Sequence, residues 1–303
     1  MANSTQSRFR TDRQLSARML TVMGTLVLAY AGAIAILILV LGRWWPLGVA
    51  AVVGFFAFQM LSCDTVALRA AGALEVGAAR EPRLHAMVDR LCALADTPKP
   101  RLAVSPSPVP NAFAAGRRRK SVVLCVTRGM LDNLTDEELE GVLAHELAHV
   151  AHGDAVVMTV ASFLGVLAGL TARLGARLLL IAGRARGLWQ FLLAALAVTA
   201  LATATWIISV LLVRALSRYR EFAADQAAAQ LTGNPAALSA ALLKTTAATA
   251  RIPRRDLRRA TALNAFAFCP VQTARTAGHH LLSTHPSVED RIARLEKIAA
   301  ELR

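Results

Sequence analysis

Residues 134–154 read LTDEELEGVLAHELAHVAHGD. Thr135 and Glu138 have the spacing of a capping box, and Leu134 with Leu139 that of a hydrophobic staple. Asp136 and Glu137 put negative charge at the positive end of the helix dipole. Together these signals predict a helix starting near residue 136, with Leu139, Val142, Leu143, Leu147 and Val150 on its buried face. The run His145-Glu146-Leu147-Ala148-His149 falls in the interior of that helix. Residues four apart share a face, displaced by about 6 Å along the axis. His145 and His149 can therefore aim ring nitrogens at one ion. Glu146, rotated by about 100°, can reach a water held there instead. In that place it would take the water's proton as the water attacks a peptide carbonyl, then hand it to the leaving amine. Chance supplies such a pentapeptide in on the order of one chain in a hundred of this length. Here, however, its neighbours are alanine, leucine and valine, so the three polar groups are expected to be partly buried. Buried polar groups need partners, and a metal supplies them.

A catalytic zinc site takes three protein ligands and keeps a fourth position open. Further along, Arg220-Glu221-Phe222-Ala223-Ala224-Asp225 offers Glu221 and Asp225 on one helix face. Glu221 would complete the set. Asp225 would accept a hydrogen bond from the outer nitrogen of a ligand histidine and so orient it. Taken alone, the stretch also reads as an exposed helix with Arg218, Arg220, Glu221 and Asp225 in surface ion pairs.

Between the two stretches the chain turns apolar. Of its 303 residues 55% are hydrophobic, only 18% are charged and 5% aromatic. An ordinary soluble domain carries more charge and fewer unbroken apolar runs. Residues 19–41 and 45–63 form two apolar runs joined by Gly42-Arg43-Trp44, the first preceded by Arg8, Arg10, Arg13 and Arg18. They read as a transmembrane hairpin whose first segment is an uncleaved anchor, with Trp44 and Trp45 at the interface. Residues 188–213 are a clear span. Residues 155–172 are a weaker one, because Arg173 and Arg177 interrupt their continuation to Ile181. With Arg184 and Arg186 these arginines crowd the link between the two spans. Two full spans would leave that basic link on the side opposite to the basic N-terminus, against the positive-inside rule. Either the rule is violated here or residues 155–186 form an amphipathic or re-entrant pair.

The net charge of +14 is nearly all arginine. Its basic residues flank apolar runs and show no interleaving with aromatics of the kind that stacks bases. The charge is therefore read as membrane topology, and no nucleic-acid partner is expected. Cys63, Cys92, Cys125 and Cys269 make no C-x-x-C pair or disulfide pattern, which suits small buried side chains in a reducing setting.

The remaining chain, 64–154 and 214–303, is polar enough to fold outside lipid. Leu84, Met87, Val88, Leu91 and Leu94 have helical spacing across 81–95. A proline-rich loop follows, with a short strand candidate at 102–104. Residues 111–115 and 122–126 read as two strands around the basic turn 116–120, a solvated hairpin tip. A helix over 214–231 ends at Thr232-Gly233-Asn234-Pro235. Further helices are expected at 236–250 and 287–302, with 251–283 the least legible part. His85, His152, His279 and His280 read as exposed or structural.

Residues 110–154, the Glu221-x-x-x-Asp225 pattern after an apolar pair, and THPSVEDRIARL at 284–295 resemble the HtpX-type membrane metallopeptidases, relatives of the CAAX prenyl endopeptidases. The resemblance covers most of 98–303. It implies one zinc ion per chain held by His145, His149 and Glu221, with Glu146 as general base, on a mainly α gluzincin-like zincin fold. That fold carries a small β-sheet and four membrane-associated helices. Asn111, Ala112 and Phe113 would form an edge strand along which an extended substrate adds by main-chain pairing; Asn111 also fits as a turn residue after Pro110. His285 and Arg291 match positions near the metal that are thought to stabilise the oxyanion, against a plainer reading as a helix-start loop and a salt-bridge residue. Asp154, in an H-G-D position, would hold the helix end or bond a ligand from behind.

The resemblance implies a multi-pass protein of the cell inner membrane, its site facing the cytoplasm. Its substrates would be membrane or membrane-proximal polypeptides, cleaved in protein quality control. A narrower processing protease for a lipoprotein, pheromone or signal remnant would use the same machinery. A dead scaffold or transporter is the competing class, but the clearest spans hold no ionisable residue and the five zinc-site residues are all present. The expected division is an N-terminal segment (1–18), a transmembrane hairpin (19–63), a first peptidase part (64–154), a second helix pair (155–213) and a second peptidase part (214–303). The sequence leaves oligomeric state open.

Overall fold

The computed structural model describes residues 13–116, 122–182, 189–251 and 285–302. The chain forms two compact units, one from residues 1–16, 61–156 and 217–303, the other from 17–60 and 157–216. The basic turn at 117–120, Arg184, Arg186, Cys269, His279 and His280 lie outside the described residues.

In the first unit, β1 (Leu74–Glu75), β2 (Arg101–Ser105), β3 (Ala112–Ala115) and β4 (Val123–Thr127) form one sheet in the order β1-β2-β4-β3. β2 and β4 are parallel, and the outer pairings are antiparallel. Side chains alternate across a sheet, and here both faces are covered. Leu102, Val104, Leu124 and Val126 join Leu84, Val88 and Leu91 of α3 (Pro82–Ala95) in the main core. Ala103, Phe113, Ala115, Val123 and Cys125 pack on the other face with Leu68, Ala71 and Ala73. The three longer strands fall within about one residue of the expected ones; β1, only two residues long, was not foreseen.

After the short α4 (Arg128–Asn133), α5 (Asp136–His152) begins as its sequence requires. The Glu138 amide donates to Thr135 Oγ1, and Glu138 Oε2 accepts from the Thr135 amide at 2.9 Å. Leu139, Val142, Leu143 and Leu147 carry its apolar stripe into the main core. Gly153, at φ 69°, ends the helix in the left-handed conformation that glycine adopts without steric cost. α6 (Asp154–Ala182) starts on the next residue. α7 (Trp189–Thr232) is a single helix: the expected segment over 214–231 is its C-terminal part. Asn234 caps α8 (Pro235–Ala250), and Ser287 caps α9 (Val288–Glu301).

The second unit is made from α1 (Arg13–Leu41), α2 (Trp45–Ala70) and the intervening parts of α6 and α7. α6 runs unbroken through Arg173 and Arg177: arginine interrupts hydropathy, but it is a good helix former. Its Gly169 lets α7 come close, since a Cβ there would stand 3.0 Å from Trp206 Cδ1. The Tyr30 hydroxyl donates to the Val160 carbonyl and accepts from the Leu164 amide, two groups that a regular helix joins to each other. Leu26, Ala161 and Leu216 form a small core, while Leu28, Leu193, Leu196 and Leu201 are exposed. Among the described residues, two helices are long and apolar enough to cross a membrane, 154–177 and 195–232; Met19–Gly32 and Trp45–Phe58 are shorter apolar stretches.

Candidate metal and catalytic site

The first unit gathers residues from four places in the sequence. His145, Glu146 and His149 come from the interior of α5, Glu221 and Asp225 from α7, Asp154 from the start of α6, and His285 and Arg291 from just before and within α9. Burial of the α5 stripe turns both histidines away from solvent, His145 to 1% exposure.

Their rings stand nearly perpendicular, with Nε2 atoms 3.0 Å apart. Glu221 Oε2 is 3.7 Å from His145 Nε2, and Oε1 is 3.6 Å from His149 Nε2. Each histidine is engaged on its other side by a carboxylate. His145 Nδ1 lies 2.9 Å from Asp225 Oδ1, and His149 Nδ1 lies 2.5 Å from Asp154 Oδ2. A carboxylate holds the proton on Nδ1, so both Nε2 lone pairs point into the space facing Glu221. Two lone pairs and a carboxylate turned inward repel one another unless a cation lies between them. Metal–ligand bonds of about 2.0–2.1 Å in a tetrahedron put donor atoms about 3.3 Å apart, and the three observed separations bracket that value. The Glu221 Oε2 atom is buried, with His285 Nδ1 beside it at 3.2 Å. The donor set is that of a zinc site, two imidazoles and a carboxylate, and the geometry fits one.

The charges around this cluster are arranged to keep it so. Burial pushes both histidines down to about 4; the carboxylate partners oppose the shift, while Arg291 reinforces it. They are thus neutral at ordinary pH, as ligands must be. Burial pushes Glu221 up, yet His285, His149 and Arg291 together bring it well below its usual range. Asp225, also raised by burial, is brought down by Arg291 and His145. Glu146 goes the other way. Burial first and Glu221 second raise its carboxyl well above the usual range, against Arg291 and the Ala114 amide.

Arg291 is 2% exposed and grips Asp225 with a two-pronged fork, Nε at 2.8 Å and one terminal nitrogen at 2.6 Å. Its other terminal nitrogen is 3.5 Å from Glu221. His285 Nδ1 is 3.2 Å from Glu221 Oε2. Arg220, read from sequence only as a member of a surface pair, is instead 4% exposed and ion-paired with Asp154.

β3 is one of the two outer strands of the sheet. The Thr127 amide donates to the Asn111 carbonyl, and the Asn111 amide donates to Thr127 Oγ1. Hydrogen-bonded pairs alternate along an antiparallel ladder, so Asn111, Phe113 and Ala115 face β4. The N–H and C=O groups of Ala112 and Ala114 face outward. The Ala114 amide bonds the Glu146 carboxyl. Of the expected substrate-binding trio, then, only Ala112 turns its main-chain groups away from β4, and it is fully buried. Phe113 is buried in the cluster on the far face, and the residue beside Glu146 is Ala114. Strict alternation along 111–115 would have identified it. A cleft of about 50 Å³ continues from this edge, bounded by Ala114, Gly116, Val122, His149, Val150 and Val156.

A histidine pair on one helix, a glutamate between them and a carboxylate on a second helix, beside an outer strand, define a metallopeptidase. The chain belongs to peptidase family M48, whose model matches residues 78–299. Its relatives agree over nearly the full length. It is 50% identical to "Protease HtpX homolog 1" of Streptomyces coelicolor, covering 98% of this chain and 97% of that one. It is 42% identical to "Protease HtpX homolog" of Moorella thermoacetica, covering 96% of each. Among solved structures it resembles the crystal structure of S. mikatae Ste24p, with a TM-score of 0.51 at 17% identity, over 94% of this chain and 67% of that one. With its apolar helices and its His145, His149 and Glu221 cluster, the chain is a membrane zinc metalloprotease.

Proposed function

We propose that His145 Nε2, His149 Nε2 and Glu221 hold one zinc ion per chain, and that the enzyme is an endopeptidase of membrane and membrane-proximal proteins serving their quality control. One observation carries the metal assignment: two imidazole nitrogens and a carboxylate converge, with each imidazole backed by its own acid. Zinc, when bound, polarises a peptide carbonyl and lowers the pKa of a water beside it toward neutrality. Glu146 takes that water's proton during attack and passes it to the leaving amine. A carboxyl raised by burial suits this task, because it must keep the proton between the two events. His285, on the Glu221 side of the cluster, donates toward the negative charge that develops on the carbonyl oxygen. Arg291 has its fork committed to Asp225, and so positions His145 instead of meeting the oxyanion. An extended substrate adds to the outward main chain of Ala112 and Ala114.

The architecture we infer is a gluzincin-like zincin with four membrane-associated helices: a hairpin over 19–63 and a second pair over 155–213, between peptidase parts 64–154 and 214–303. α6 has 29 residues, about 44 Å at 1.5 Å per residue, more than the hydrocarbon core of about 30 Å. Arg173 and Arg177 lie in its C-terminal third and are exposed, where long side chains can reach the interface. That favours a true span. Arg8, Arg10, Arg13 and Arg18, ahead of the apolar run at 19–41, orient the N-terminus, and the peptidase parts with it, toward the cytoplasm of an inner membrane. Metal analysis and cleavage of a peptide by wild type and Glu146→Gln test the proposal. We expect one zinc per chain in both proteins and a rate loss of roughly 10²–10⁴-fold in the variant. No zinc in the wild type, or equal rates, would overturn it.

A further inference from the structure

The two ligand histidines are held alike. Behind His145 stands Asp225, and behind Asp225 the Arg291 fork. Behind His149 stands Asp154, whose Oδ2 takes the ring Nδ1 at 2.5 Å while Oδ1 is paired with Arg220. The second arrangement is assembled from unrelated parts. Asp154 opens α6 directly after the left-handed Gly153, so its side chain stands one turn beyond His149. Arg220 precedes the ligand Glu221 on α7.

Burying a guanidinium to 4% exposure is a poor way to gain stability. Its desolvation typically consumes what the ion pair returns, and an apolar pair of similar volume does as well or better. Burial indeed drags Arg220 down to about 9 despite the nearby Glu221. What the pair does achieve is geometric. Asp154 has two oxygens, and a lone carboxylate on a helix start could rotate either toward His149. With Arg220 bound to Oδ1, only Oδ2 remains for the imidazole. The ring is then fixed in the plane and tautomer that send Nε2 toward Glu221. Arg220 also offsets the charge of Asp154, so that this second acid does not compete with the ligand set for a cation.

We propose that Arg220 is a positioning residue for the metal site, acting on His149 through Asp154. The inference rests on the zinc assignment above. It is tested with the full chain, purified in detergent and stripped of metal. Zinc affinity is measured by competition with a chelating dye, and the visible spectrum of bound Co²⁺ reports the ligand geometry. We expect Arg220→Gln and Asp154→Asn each to weaken Zn²⁺ binding by roughly 10–100-fold and to alter the Co²⁺ bands, with Arg220→Lys recovering part of the loss. In the Asp154→Asn background, Arg220→Gln should add no further loss, because the arginine acts only through that acid. If Arg220→Gln does not fold, Arg220→Lys and Asp154→Asn carry the same comparison. Wild-type affinity and spectrum in the Arg220 variants, or losses that add in full, overturn the inference while leaving the zinc site standing. A wild-type chain that takes up no zinc overturns both.

Discussion

Arg291→Met removes one buried guanidinium and nothing of comparable size, so its consequences can be followed group by group. Asp225, 1% exposed, loses two hydrogen bonds of 2.8 and 2.6 Å and, among the described residues, keeps His145. Glu221 loses a cation at 3.5 Å. Asp225 is then left without its main counter-charge, and Glu221 without one of the cations that lower it. Removing one partner of a buried pair costs about 3–5 kcal/mol, because the other charge is left uncompensated. For a chain of this size that amounts to roughly 5–8 °C in melting temperature. The loss should be conditional. In the metal-free protein it appears in full, whereas a bound dication between His145, His149 and Glu221 replaces much of the missing positive charge. The assay is a thermal melt of detergent-solubilised wild type and variant, each with chelator and with excess Zn²⁺. The reasoning predicts a gap that narrows with zinc, and one that shrinks again when Asp225→Leu is combined with Arg291→Met. A gap below about 1 kcal/mol without metal, or one unchanged by zinc, would refute the electrostatic account.

Three further outcomes follow from the same structure. Chelation should lower the melting temperature of the wild type, by an amount that grows with the ratio of free zinc to its dissociation constant, about 4 kcal/mol at a thousandfold excess; Glu221→Gln should lose most of this response, as a melt with and without chelator would detect. Glu138 is held below its usual range: burial raises it, but Lys244 and the Thr135 cap outweigh burial. The folded pKa lies below the unfolded one, so this stabilisation is full above about pH 4.5 and fades as pH falls through the folded value. Lys244→Met should therefore weaken the protein above pH 5 and flatten that part of its acid-unfolding curve. Gly169→Leu should disrupt the α6–α7 contact, since even a Cβ at this position would stand only 3.0 Å from Trp206 Cδ1; a drop in melting temperature with zinc stoichiometry unchanged is expected, and an unaltered melt would contradict the close approach.

The parts of this fold that were legible in the sequence are those written in local chemistry. Thr135, Glu138 and the acidic first turn define the start of α5 whatever surrounds it, and the His145–His149 spacing then fixes which groups share a face. Asp225 was legible because Glu221 and Asp225 repeat that four-residue spacing. What was not legible depends on tertiary placement. Arg220 has the local look of a surface cation, and only the arrival of α7 beside the start of α6 buries it on Asp154. For Arg291 the sequence offers oxyanion and salt-bridge readings alike, and its fork on Asp225 depends on where α9 is placed beside α7. The strand at 111–115 was legible as a strand, but the alternation of its main chain depends on register with β4. That register exchanges Phe113 for Ala114 as the neighbour of Glu146.

The charge pattern of the site explains why so many ionisable groups can share so little water. Asp154 and Arg220 offset each other, as do Asp225 and Arg291, and both histidines are neutral. Glu221 shares with Asp225 the guanidinium of Arg291, 3.5 Å away, and Glu146, its carboxyl raised by burial, is the acid able to hold a proton. A dication placed against Glu221 leaves a single excess positive charge, which an ionised Glu146 balances. The two carboxylate–guanidinium pairs thus do more than orient imidazoles. They remove their own acids from the electrostatic problem, so that the binding of a metal bears chiefly on Glu146, the proposed general base.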